Sequence, residues 1–177
     1  MIKPKSYTTL AVTLFFLLIS QTTTAQFINL NFTVKSELSV TVQQHLNFGS
    51  VVSNSGEHSI NLGDLNAGIF AIRAYHTQNI FVEMNTPKFL VNENINSTDQ
   101  IPITLHASYS NTGLNNPKSS TSLINNTGYL PIHQNNVNTV ESDIWQEMFI
   151  YIYGTLNVGN ISNGTYSGEV VLYIEYD

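Results

Sequence analysis

The chain has 177 residues, of which 42% are hydrophobic, 11% aromatic and only 10% charged. That length suits one domain or two small ones, and a chain this apolar and this poor in charge is not disordered. A formal net charge of -6 with six Lys+Arg removes the basic footprint of a nucleic-acid binder, and zero Cys removes disulfides, thiolate zinc sites, thiol catalysis and a lipid-anchored cysteine.

The first segment reads as an address. Lys3 and Lys5 form a basic start, and Leu10–Ile19 is an apolar run broken only by Thr13. Thr23, Thr24 and Ala25 then place small residues where a signal peptidase cuts, so residues 1–25 are a signal peptide and Gln26 opens the mature chain. The apolar run is too short for a hydrocarbon core that takes roughly 20 residues. No later stretch is long and apolar enough to span a membrane. The expectation is an exported protein, placed in the periplasm, on the cell surface or outside the cell, with residues 26–177 forming a single β-sandwich domain.

From Gln26 the period is two. Ile28, Leu30, Phe32 and Val34 alternate with Asn29, Asn31, Thr33 and Lys35, and Leu38, Val40 and Val42 resume the ladder after Ser36-Glu37. Alternation of this kind sends apolar side chains to one sheet face and polar ones to the other. Further strand runs cover Leu46–Val52, His58–Leu62, Ile69–His76, Ile80–Met84, Lys88–Val91 and the ladder from Ile101 to Tyr109. Met148–Tyr153 is apolar on both faces, which suits a central strand, and Leu156 and Val158 extend it past Gly154. In the last ladder Tyr166, Val170, Leu172, Ile174 and Tyr176 face one way, with Ser167, Glu169, Glu175 and Asp177 opposite.

Turn signals such as Ser53-Asn54-Ser55-Gly56 and Ser162-Asn163-Gly164 separate these runs. Outside the leader and Glu141–Trp145 no window shows a helical period. Many short strands between Gly/Asn turns predict an all-β, antiparallel β-sandwich, with a closed barrel as the alternative. Ser110–Gly128 is the one long polar loop, read as a solvated insertion.

Catalytic constellations are missing from the sequence. It holds no H-E-x-x-H, no G-x-S-x-G, no phosphate-binding Gly-Lys-Ser/Thr and no calcium loop. His45, His58, His76, His106 and His133 are dispersed, so no local ligand pair nucleates a metal site, and no cofactor is called for. Glu141, Asp143 and Glu147 read as a solvated acidic loop. The sequons at Asn31, Asn96, Asn125, Asn160 and Asn163 follow from the abundance of Asn, Ser and Thr. Nothing in this pattern asks for an enzyme.

Three segments carry a resemblance. Leu46-Asn47-Phe48-Gly49, Gly154-Thr155-Leu156-Asn157-Val158, and Gly164-Thr165-Tyr166-Ser167-Gly168 followed by Val170–Tyr176 are similar, in this order, to motifs of the bacterial domain of unknown function 4402. The first is shared with the spore coat U and archaic pilin group. The resemblance covers nearly all of Gln26–Asp177. It implies a secreted, immunoglobulin-like, pilin-like sandwich. Chaperone–usher pilins end in an alternating strand with a penultimate Tyr and a Gly near the fourteenth place from the end, and Tyr176 and Gly164 occupy those places here. The pilin resemblance implies donor-strand assembly, in which Ile28, Leu30, Phe32 and Val34 insert beside a neighbour's C-terminal strand Gly164, Tyr166, Gly168, Val170, Leu172, Ile174 and Tyr176. The partners it implies are like subunits, a periplasmic chaperone and an outer-membrane usher. The chain departs from the pilin pattern in having no Cys for the pilin disulfide.

Alternation specifies a buried face but not whose face it is. The N-terminal ladder therefore completes either its own sandwich or a neighbour's. The first reading is a structural or adhesive surface subunit; the second is a monomeric secreted sandwich that binds glycan or protein through its loops, with Tyr75, Trp145, Tyr151 and Tyr153 as stacking candidates. A third, a secreted hydrolase, has no motif behind it.

Overall fold

In a computed structural model of the chain, the structure describes residues 38–132 and 145–177. The leader, the ladder Ile28, Leu30, Phe32 and Val34, and residues 141–144 of the acidic loop lie outside the described residues.

Eleven strands are described: β1 (Ser39–Gln44), β2 (Gly56–Ile60), β3 (Gly68–Tyr75), β4 (Asn79–Asn85), β5 (Phe89–Asn92), β6 (Gln100–Ser110), β7 (Thr121–Ser122), β8 (Thr127–Pro131), β9 (Trp145–Val158), β10 (Tyr166–Ser167) and β11 (Val171–Tyr176). They form two antiparallel sheets packed into a sandwich, so the all-β expectation holds. The large sheet runs β1-β3-β9-β6-β5-β10, with β2 also on β9 and β7 also on β6; the small one runs β11-β4-β8.

β9 is the spine. Its first half pairs with β3 (Ile69↔Tyr151, Ile72↔Met148) and its second half with β2 (His58↔Leu156). Its other edge pairs with β6 from Ile103↔Leu156 to Ser110↔Phe149. The strand runs straight through Gly154, where a side chain is impossible: a Cβ there would lie 2.1 Å from the Thr104 carbonyl oxygen. Glycine is the residue that lets β9 and β6 close at this point.

Met148, Ile150, Ile152 and Leu156 of β9 join Ile72, Ala74, Ile101, Ile103, Leu105 and Ala107 on the inner face. Ile80, Val82, Met84 and Leu130 of the small sheet complete the core. β4 shows why the sheets pair this way: Ile80, Val82 and Met84 are buried while Phe81 and Glu83 point outward, the period of two expected of a strand covered on one face.

The outer face of β9 is covered too. Phe149 is 4% exposed and Tyr151 fully buried. Their cover is the polar stretch after β6. Tyr151 Oη donates to Asn115 Oδ1 at 3.0 Å, Ser110 and Ser119 hydroxyls meet at 3.2 Å, and Asn115 donates to Gln43 at 3.4 Å. The stretch then pairs as β7 with β6, drops Leu123 into the core and enters β8. Ser110–Gly128 is thus a solvated insertion only in part: Asn116, Lys118, Ser122 and Asn125 are exposed as expected, while Ser110, Asn111 and Leu123 are buried and Asn115 ties the segment to the Tyr151 hydroxyl.

Candidate functional site: an open apolar groove

Where the large sheet extends past the small one, a groove of about 780 Å³ opens on its inner face. Ile101, Ile103, Leu105, Ile152, Leu156 and Phe70 line its floor. Its two walls are irregular segments, and the sequence explains each.

One wall is the chain leaving β1. The β1–β3 register slips between Val42 and Gln44, and Gln44 Nε2 then donates to the Leu65 and Ala67 carbonyls. No strand forms over Leu46–Val52, contrary to the period-based expectation. Leu46, Phe48 and Val51 instead pack half-buried against the core, while Asn47 Oδ1 accepts the Gly49 N–H at 2.8 Å. Gly49 sits at a φ of 71°, the left-handed region that glycine enters without cost. Leu46-Asn47-Phe48-Gly49 is thus a wall that ends in a turn, two apolar anchors around an Asn-capped bend.

The other wall is residues 161–170. The ladder read as one strand from Tyr166 to Tyr176 is two: β10 pairs with β5 in the large sheet, and β11 pairs with β4 in the small one. Gly168 lies in the crossing, where a Cβ would stand 2.9 Å from Leu90 Cδ2 and 3.1 Å from Pro87 Cγ. At Gly164 a Cβ would crowd the Asn92 amide at 2.7 Å. Tyr166, Val170, Leu172, Ile174 and Tyr176 all pack against the core, half-buried. Tyr176 is further fixed where its Oη accepts the Tyr75 N–H at 3.2 Å.

The walls are tied at one end. Ser53 Oγ donates to the Ile161 carbonyl at 2.9 Å and accepts the Ile161 N–H at 3.0 Å. Behind that tie, Asp99 Oδ2 accepts both the Ser162 N–H and its hydroxyl, and Tyr166 Oη donates to the Ser162 carbonyl at 2.9 Å. The Ser162 bonds hold the Asp99 carboxyl below its ordinary range.

Two strands lead into the groove walls. Among the described residues β11 pairs with β4, and the groove lining reaches Val170, the residue just before β11. The inner face of β1 is open, with Val40 43% and Val42 46% exposed. An open apolar floor has the chemistry to take the side chains of an extended apolar segment. Among the described residues no three His, Cys, Asp or Glu side chains cluster to hold a metal.

The stacking candidates do not converge. Tyr151 is buried and serves the core, while Tyr153 bonds Ser108 at 3.0 Å with its ring 6.0 Å from that of His106. Tyr75 and Trp145 do meet, edge to face at 6.1 Å, with the Arg73 guanidinium 5.6 Å over the indole. No local period in the sequence marks the groove; a place for an inserted strand was implied only by the pilin resemblance, through the Gly164–Gly168 segment and the Asn-Phe-Gly turn that form its walls.

No protein-family model matches the chain, and no curated protein matches it either.

Proposed function

We propose that this protein is an exported structural subunit, pilin-like, that joins copies of itself by strand addition. The groove of one copy takes the ladder Ile28, Leu30, Phe32 and Val34 of the next. The observation that carries this reading is the open apolar groove itself, floored by Phe70, Ile101, Ile103, Leu105, Ile152 and Leu156. The N-terminal ladder supplies four apolar side chains at the spacing of two that such a groove accepts. Burying each is worth about 1.5–3 kcal/mol, and backbone ladder bonds add to that. The resemblance to domain 4402 and to archaic pilins supports the same reading, with a periplasmic chaperone and an outer-membrane usher as the partners of assembly.

Phe32→Asp tests it by placing a carboxylate in the middle of the inserting ladder, where an unpaired buried charge is strongly disfavoured. The expected result is loss of heat-resistant oligomers on gels with the melting of the chaperone-complemented subunit unchanged. A monomer that is destabilised by Phe32→Asp, with no oligomer in the wild type, overturns assembly and makes the ladder a strand of its own sandwich.

A further inference from the structure

The outer face of the small sheet lies apart from the groove and carries a pattern of its own. Cross-strand register sets Tyr129, Phe81 and Glu175 in one row and Thr127, Glu83 and Tyr173 in the next. Tyr129 is 66% and Tyr173 55% exposed, high values for rings with so much apolar surface. Phe81 and Tyr129 meet at 4.9 Å, tilted by 48°. Phe81, Glu83, Tyr173, Ile174 and Glu175 line a shallow depression of about 290 Å³. Glu83 and Glu175 are diagonal neighbours, a relation that sets Cβ atoms about 7–8 Å apart. Neither carboxylate has a hydrogen-bond or ion-pair partner among the described residues, and β4, β8 and β11 contain no Lys or Arg.

We propose that this face docks an arginine side chain presented by a partner protein. Two unpaired carboxylates flanking exposed rings are complementary to a planar cation. A guanidinium lies flat on Phe81 and Tyr173 while its edge donates to Glu83 and Glu175, and it relieves their mutual repulsion. A lysine ammonium meets the charge but does not stack as a plane. A neutral sugar stacks but leaves the two carboxylates uncompensated. The partner is not a second copy of this chain, because its single arginine, Arg73, is already seated over Trp145. Tyrosine and arginine are also the residues most often found to carry interface energy.

The test is an amide chemical-shift titration of the mature protein with blocked tri-arginine, tri-lysine, tri-citrulline and a glucose tetramer. Saturable shifts confined to amides of β4, β8 and β11 are expected with tri-arginine, weaker ones with tri-lysine and none with the uncharged isostere tri-citrulline. The paired change Glu83→Gln, Glu175→Gln should weaken tri-arginine about tenfold or more, and Tyr173→Ala several-fold, with melting unchanged in both. Glu57→Gln, remote in the large sheet, should leave the affinity alone. The proposal fails if tri-arginine shifts spread over acidic residues elsewhere, if Tyr173→Ala leaves its affinity intact, or if the glucose tetramer perturbs these amides and tri-arginine does not. The last outcome would make the face a sugar platform.

Discussion

β9 and β11 are both regular strands, yet they live in different surroundings. β9 has a partner on each edge and a cover on each face, and eight of its 14 residues are buried. Among the described residues β11 pairs with β4, and none of its six residues is fully buried. A strand enclosed on every side tolerates little change of volume, whereas one with an exposed face can adjust to it. The sandwich therefore concentrates its burial in the centre of the large sheet and leaves the rim of the small one more exposed.

The largest effect that would break this comparison lies at Gly154. Gly154→Val drives a side chain into the Thr104 carbonyl, and we expect a loss of about 3 kcal/mol or more in urea unfolding. A variant that unfolds with wild-type midpoint would show that β6 and β9 do not close there. Next comes the direct contrast between strands. Ile150→Ala, fully buried, should cost about 2–5 kcal/mol, and Ile174→Ala, half-buried at the rim, about 1–2 kcal/mol. Equal losses would mean that β11 is enclosed as fully as β9.

Smaller effects sharpen the picture of the covers. Tyr151→Phe removes the bond to Asn115 and should cost about 0.5–1.5 kcal/mol, with faster amide exchange in residues 111–119. Burial also raises the Tyr151 phenol above its ordinary 10.0. The unfolded chain then loses this proton first, so stability falls as pH rises from 10.0 towards the folded value. In Tyr151→Phe that alkaline fall should be blunted, as melting curves across the range would record. The smallest effect is at Asp99, whose lowered folded value contributes stability at neutral pH that is lost as pH falls through it. Asp99→Asn should flatten the melting temperature below about pH 4, and an unaltered acid profile would remove the Asp99–Ser162 tie from the groove wall.

Much of this was legible in advance. Alternation in β6 marked Ile101, Ile103, Leu105 and Ala107 as inward, because a strand face covered by the core has a period that survives in the sequence, whereas the burial of Ser108 and Ser110 on its other face had no such signal. The doubly apolar run Met148–Tyr153 marked the centre of the large sheet for the complementary reason. Two segments misled. Leu46–Val52 has strand composition but follows a register slip, so its apolar residues anchor a wall without a ladder. Ser110–Gly128 looks solvated, yet polar groups also suit a cover when the surface beneath offers hydroxyls.

By itself the sequence determined an all-β chain with named inward residues, since side-chain direction in a strand depends only on position along the chain. The tertiary structure alone decided that the ladder from Tyr166 to Tyr176 divides between two sheets, that β11 pairs with β4, and that Glu83, Glu175 and three aromatic rings share one face. Those outcomes depend on which strands lie side by side, and pairing is a contact between residues far apart in sequence that no local period records.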